Sequence, residues 1–199
     1  MPGNRRSIRL KEYDYSDFGY YHVTICTQDR ELYFENNNVK QMIENIWTKL
    51  PTKFNVDLDE CVVMPNHLHG VIVINDNENV GADPCVCPDN GIIKNQGAHI
   101  NHNQGAHINH NQGAHTGAPL QGQKPTLGKI IQWFKTMTTN YYIQNVKTNH
   151  WPWFAGRLWQ RNYYERIIHN NRELNRIRQY IINNLANWAT DRNNPKNFL

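Results

Sequence analysis

Residues 56–74 read VDLDECVVMPNHLHGVIVI. Two runs rich in β-branched side chains, Val56–Met64 and His67–Ile74, flank the turn signal Pro65-Asn66, so the stretch predicts a β-hairpin. On a strand, residues i and i+2 point to the same side. His67 and His69 therefore share one face, and Leu68 turns into the opposite layer. Two imidazoles so placed can grip one divalent cation. Two half-exposed histidines at a strand start would leave the same letters, so the motif is weak when it stands alone.

Upstream, Tyr20–Thr27 (YYHVTICT) is a further strand. It is preceded by a basic arm that carries Arg5, Arg6, Arg9 and Lys11. Val39, Met42, Ile43, Ile46 and Leu50 recur at helical spacing, which predicts a helix over Asn38–Leu50, with Asn38 as its cap and Pro51 as its end. Downstream of the hairpin the periodicity stops. Residues 75–124 hold the octapeptide NQGAHINH twice, at 95–102 and 103–110, and a diverging third copy, NQGAHTGA, at 111–118. Such a segment buries too little apolar surface to offset its chain entropy and reads as a disordered insertion. Order resumes with a helix from Thr126, whose Leu127, Ile130, Ile131, Phe134, Met137 and Tyr141 form one face. A strand over Leu158–Ile168 and a helix over Arg172–Leu185, extending toward Trp188, complete the pattern. A polar tail, Thr190–Asn194, follows, and Pro195 bars further helix. The order predicts an α+β fold of the ferredoxin-like or RRM-like kind. A small antiparallel sheet would carry helices on one face, in one domain over residues 1–199 interrupted by the insertion.

The longest apolar runs are only a few residues, far short of the ~20 that a membrane span needs. No signal peptide is visible and the cysteines form no disulfide framework, which predicts a cytoplasmic protein. Cys26 and Cys61 read as buried thiols. The formal charge of +4 is unevenly spread: residues 1–119 carry a net −5 and residues 120–199 a net +9. The basic part is also aromatic, a composition suited to phosphates and stacked bases, although a solvated helical face over an aromatic core would read alike.

In the last helix Leu174, Ile177, Ile181 and Leu185 form an apolar stripe. Tyr180 and Asn184, one turn apart, lie beside it. Tyr163 and Tyr164 are a rival pair. Neighbours on a strand face opposite ways, so one reads as core and the other, with Arg157 and Arg161, as a contact for nucleic acid. Cys85 and Cys87 lack a second pair at zinc-module spacing and read as part of a tether.

Taken together, PNHLHG at 65–70, LWQRNYYERIIHN at 158–170 and ELNRIRQYIINNLANW at 173–188 resemble the REP-associated tyrosine transposases. These are single-tyrosine members of the His-hydrophobic-His superfamily of single-strand DNA nucleases. The resemblance implies that His67 and His69 ligate a divalent metal, Mg²⁺ or Mn²⁺, that Tyr180 is the nucleophile, and that Asn184, or its neighbour Asn183, completes the metal shell. Leu185 stands where family members often have proline, and the octapeptide insertion is a further departure. The implied activity is nicking and strand transfer of single-stranded or hairpin DNA through a 5′-phosphotyrosine, by a monomer or homodimer. Arg157, Arg161, Lys129, Lys135, Arg5 and Arg6 would contact the DNA. A catalytically silent DNA-binding protein of the same fold is the alternative, and a replication initiator or relaxase is disfavoured by the short core. Loop-closure entropy changes slowly with length, so deleting residues 82–121 is expected to leave folding and DNA cleavage largely intact. Failure of the shortened chain to give a cooperative melt, or strong amide protection of that segment in the full chain, would overturn the reading of disorder.

Overall fold

The structure is a computed structural model that describes residues 14–75 and 125–198. These lie within one unit formed by residues 1–80 and 124–199, and the second unit, 81–123, lies outside the described residues. So do Arg5, Arg6, the octapeptide repeats and Cys85–Cys87. The elements are β1 (Gly19–Cys26), α1 (Asn37–Trp47), α2 (Leu50–Lys53), β2 (Val56–Met64), β3 (His67–Ile74), α3 (Leu127–Asn149), β4 (Tyr164–Ile168) and α4 (Asn171–Asn184). The strands form one antiparallel sheet in the order β2-β3-β1-β4. The expected hairpin closes on Pro65-Asn66, with Met64 opposite His67.

Every residue of β3 is buried, and that requires cover on both faces of the sheet. On one face Leu68, Ile72 and Ile74 meet Val23 and Ile25 of β1, Ile43 and Ile46 of α1, and Ile130, Ile131 and Phe134 of α3. On the other, Val71 and Ile168 pack against Leu174, Ile177 and Ile181 of α4. The helices thus occupy two faces, where the element order suggested one. The run Val71-Ile72-Val73-Ile74 is the reason, because alternate residues of a wholly apolar strand need partners on both sides. Each fully buried side chain of this kind is worth roughly 1.5–3 kcal/mol.

Local capping follows side-chain chemistry. Asn36, not Asn38, caps α1 by accepting from the Asn38 N–H, and Thr126 and Asn170 cap α3 and α4 by accepting from the Lys129 and Glu173 N–H groups. Pro51 does not end a helix. It sits in the first turn of α2, where its missing N–H costs nothing. The strand expected over Leu158–Ile168 shortens to Tyr164–Ile168, with an isolated bridge between Thr27 and Trp159. Leu158 and Trp159 are buried in the core, where the Trp159 indole donates to Thr138 Oγ1 at 2.8 Å. The Lys135 ammonium holds the segment between by donating to the carbonyls of Gln160, Arg161 and Asn162 at 2.9, 3.3 and 3.1 Å.

Gly70 faces Trp47, and a Cβ at this position would collide with the indole ring. Gly70→Ala is therefore expected to destabilise the fold by about 1–3 kcal/mol through overpacking, read as a lower urea midpoint. An unchanged midpoint would mean that Trp47 repacks freely.

Candidate metal centre and nucleophile

The α4 face of the sheet carries the polar side chains. Alternation along β1 and β3 places His22 and Thr24 on it, together with His67 and His69, and Thr24 lies directly opposite His69. The turn that precedes His67 is tied down by Thr27 N–H donating to the Asn66 carbonyl at 2.9 Å and Phe34 N–H donating to the Pro65 carbonyl at 2.9 Å. The Asn66 side chain is fully buried. Its Nδ2 donates to the carbonyls of Arg30 and Asn193 at 3.0 and 2.7 Å, which leaves Oδ1 to accept from His67 Nδ1 at 2.8 Å. With the proton held on Nδ1, His67 presents Nε2 as a lone pair. Thr24 Oγ1 lies 2.9 Å from His69 Nδ1 and can hold that ring in the same tautomer. The two Nε2 atoms then converge at 3.0 Å.

The sequence reading placed the third donor on α4, and the structure adds a carboxylate from the tail. His67, His69 and Asp191 present ligand atoms within 4.8 Å of one another. Two imidazole nitrogens and a carboxylate oxygen form a donor set that fits a divalent cation, and 3.0 Å is the donor–donor edge of an octahedron with arms of about 2.1 Å. Asn184 is 3 % exposed and its Nδ2 has no partner among the described residues. It lines, with Tyr180, Asn183 and Asp191, a groove of about 740 Å³. Asn184 occupies the buried position of the α4 stripe, and Leu185, expected there, is 51 % exposed.

Tyr180 is 47 % exposed, and its hydroxyl lies 3.3 Å from His69 Nε2. His22, which sequence reasoning passed over, stacks on His69 at 5.4 Å and meets Tyr180 edge-on at 6.1 Å. The three rings fix one another. Burial, foremost, holds all three imidazoles below the usual histidine range, with His22 at about 4, where the Arg166 charge adds to the effect. For His67 the Asp191 carboxylate works in the opposite direction.

The expected DNA contacts separate. Lys129, Arg157 and Arg161 are exposed. The ammonium of Lys135 is committed to its three carbonyls, and burial pushes it down to about 8. Tyr163 packs beneath Lys135 at 5.5 Å, whereas Tyr164 is 49 % exposed. Asp191 left one signal in the sequence, being one of only three acidic residues in the basic stretch 120–199. His22 left a period-two relation to Thr24 on β1.

The family described as "Transposase IS200 like" matches residues 16–82. A protein of Haemophilus influenzae described only as uncharacterized is 31 % identical over 197 residues, covering 94 % of this chain and 92 % of its own. A structure of a REP-associated tyrosine transposase bound to a REP hairpin shares the fold, at a TM-score of 0.53 and 13 % identity over 89 % of this chain and 72 % of that one. Residues 16–82 thus carry the match to the IS200-like transposase family, and the hairpin-bound transposase shares the fold of this chain. No helix among the described residues is long and apolar enough to cross a membrane.

The buried histidines make a pH prediction. Their native pKa values lie below the unfolded value near 6.5, so below pH 6.5 the unfolded chain binds more protons than the native one. Metal-free protein should keep this contribution above pH 6.5 and lose stability as the pH falls from there toward 4. Urea midpoints in chelator at pH 7 and 5 test it, and a His22→Gln, His67→Gln, His69→Gln triple variant should show a flatter profile. An equally steep loss in the triple variant would assign the effect to other groups.

Proposed function

We propose that this protein is a transposase that nicks and rejoins single-stranded or hairpin DNA through a covalent bond to Tyr180. The observation that carries the reading is the position of the Tyr180 hydroxyl, 3.3 Å from His69 Nε2, itself 3.0 Å from His67 Nε2. A nucleophile at that place meets a phosphate held at the convergence of the two imidazoles and Asp191. Tyr180 Oη attacks phosphorus, the bond from phosphorus to the 3′ oxygen breaks, and the phenolic proton ends on the released 3′-hydroxyl. The 5′-phosphotyrosine keeps the bond energy, so attack by a 3′-hydroxyl reverses the step without ATP.

A divalent cation, Mg²⁺ or Mn²⁺, held by His67, His69 and Asp191 with the Asn184 amide beside them, would supply Lewis-acid charge to a phosphate oxygen. The carboxylate suits either ion, and the two imidazoles favour Mn²⁺. The chain's own residues do the positioning. Asn66 and Thr24 orient the two imidazoles, and His22 packs against both His69 and Tyr180. Arg157 and Arg161 are exposed cations available to phosphates, Lys129 would add a third contact, and the hairpin DNA of the similar solved structure supports DNA as the partner. The protein would act in the cytoplasm as a monomer or homodimer.

Tyr180→Phe should abolish the covalent adduct with labelled single-stranded hairpin DNA while leaving affinity nearly unchanged. His67→Ala with His69→Ala should end cleavage at every Mn²⁺ concentration yet retain salt-sensitive binding, and Asp191→Asn should weaken Mn²⁺ binding measured by calorimetry. An adduct of normal yield in Tyr180→Phe, or its loss in Tyr164→Phe, moves the nucleophile elsewhere. Cutting at the wild-type rate by the double histidine variant removes the metal assignment.

A further inference from the structure

A cleft lies between the Thr27–Arg30 turn and the segment 155–164. It holds about 660 Å³ and is lined by Gln28, Asp29, Arg157, Arg161, Asn162 and Tyr164 among others. Neither the Arg157 nor the Arg161 guanidinium has an ion-pair or hydrogen-bond partner among the described residues. Tyr164 is 49 % exposed. Three groups that bind nothing within the described structure thus line one hollow.

The hollow is preformed. Gln28 N–H donates to the Leu158 carbonyl and Gln160 N–H to the Cys26 carbonyl, both at 2.9 Å, which ties its two walls together. Lys135 holds the carbonyls of Gln160, Arg161 and Asn162 from within. On the opposite wall Asp29 and Arg30 stand in the left-handed region, with φ of 54° and 60°. That unusual turn is kept in place because the Arg30 carbonyl accepts from the buried Asn66 amide. The same turn therefore both holds Asn66, which orients His67, and lines the cleft.

The sheet also fixes the distance. Tyr164 pairs with Thr24, and Thr24 pairs with His69, on one face. Strands lie about 4.8 Å apart, so the Tyr164 backbone is about 10 Å from that of His69. A strand whose scissile phosphate meets His67, His69 and Tyr180 would bring a neighbouring nucleotide over Tyr164.

We propose that this cleft is a subsite for one unpaired nucleotide flanking the cut, its base stacked on Tyr164 and its phosphate held by Arg157 and Arg161. This rests on the reading that the protein processes single-stranded DNA. A phenol ring stacks on any base, and two guanidiniums suit a phosphate. Asp29, which accepts from Gln28 Nε2 at 2.8 Å, repels phosphate and directs it toward the two arginines. Its remaining acceptor capacity, with the Asn162 amide, faces the base edge and favours a base with an exocyclic amino group.

The test uses the full chain and a 12-nucleotide oligodeoxycytidylate, whose bases carry an exocyclic amino group, followed by anisotropy across a salt series. Tyr164→Ala should bind about tenfold more weakly, whereas Tyr164→Phe should stay within about twofold, because the ring and not the hydroxyl does the stacking. Arg157→Ala with Arg161→Ala should lower the log–log salt slope by about 0.7, one phosphate contact. In protein carrying ¹³C-labelled tyrosine, the Tyr164 ring resonance should shift on titration. Circular dichroism checks that each variant is folded. Wild-type affinity in Tyr164→Ala, an unmoved Tyr164 resonance, or an unchanged salt slope in the arginine pair would each overturn the subsite. None of these readouts needs cleavage, so a protein that binds as described but forms no adduct on Tyr180 would sink the proposed chemistry and leave the subsite standing.

Discussion

The buried carboxamide of Asn66 connects the parts of this molecule that matter. Each of its donor and acceptor directions toward the protein is used: Nδ2 reaches the carbonyls of Arg30 and Asn193, and Oδ1 reaches His67 Nδ1. A buried amide left without partners costs about 1–3 kcal/mol, so the three contacts hold together or fail together. They draw in the Thr27–Arg30 turn from one side and the C-terminal segment from the other. They also set which nitrogen of His67 carries the proton. The segment Asp191–Asn194 is polar and looks like a solvated tail, but the carbonyl of Arg192 accepts from Arg30 and that of Asn193 from Asn66. Asp191 is thereby placed beside the histidines.

Burial of β3 on both faces explains why a polar site can exist in the middle of a small sheet. The α1 and α3 face takes the larger apolar cluster, and the α4 face a smaller one of Val71, Ile168, Leu174, Ile177 and Ile181. The smaller cluster runs out toward the hairpin end of β3, where His67 and His69 replace aliphatic side chains. Arg178 of α4 holds Asp59 of β2 through Nε and Nη2 at 2.8 and 2.6 Å, which ties the helix to the edge strand. With that end anchored, Tyr180 projects over His69 while remaining half exposed, accessible to an incoming strand and restrained by two aromatic neighbours. Desolvation keeps the imidazoles neutral, the state that a metal ligand must have.

The basic half of the chain divides its cations between two tasks. Lys135 supports main chain from the inside, and Arg166 and Arg178 pair with Glu173 and Asp59. Arg157 and Arg161 stand unpaired among the described residues, at the rim of a cleft that Lys135 braces. A charge count treats all of these alike. Only packing distinguishes a cation that holds the fold from one available to a phosphate.

Much of the fold was legible because it rests on local rules. Period-two runs flanking Pro65-Asn66 mean a hairpin, and period-3.6 stripes mean α1, α3 and α4. That His67 and His69 share one face was readable from spacing, and the resemblance singled out Tyr180, whose hydroxyl lies 3.3 Å from His69 Nε2. Where the reading slipped, a long-range contact had overridden a local preference. Asn184 takes a buried place that apolar periodicity assigned to Leu185. Leu158 and Trp159 leave the strand pattern because the core claims their side chains. The proline at 51 starts a turn of helix because chain direction, not residue type, decides whether its absent N–H matters. His22 and Asp191 could not be read as site residues, since neither lies within 40 residues of His67 in the chain. Their membership depends on which strands pair and on where the C-terminal segment docks. Local sequence settled which elements form, because turn and helix preferences act over a few residues. The candidate site was decided by tertiary structure, because three imidazoles, a carboxylate and a phenol from four separate segments converge only once burial and the Asn66 hydrogen bonds have brought those segments together.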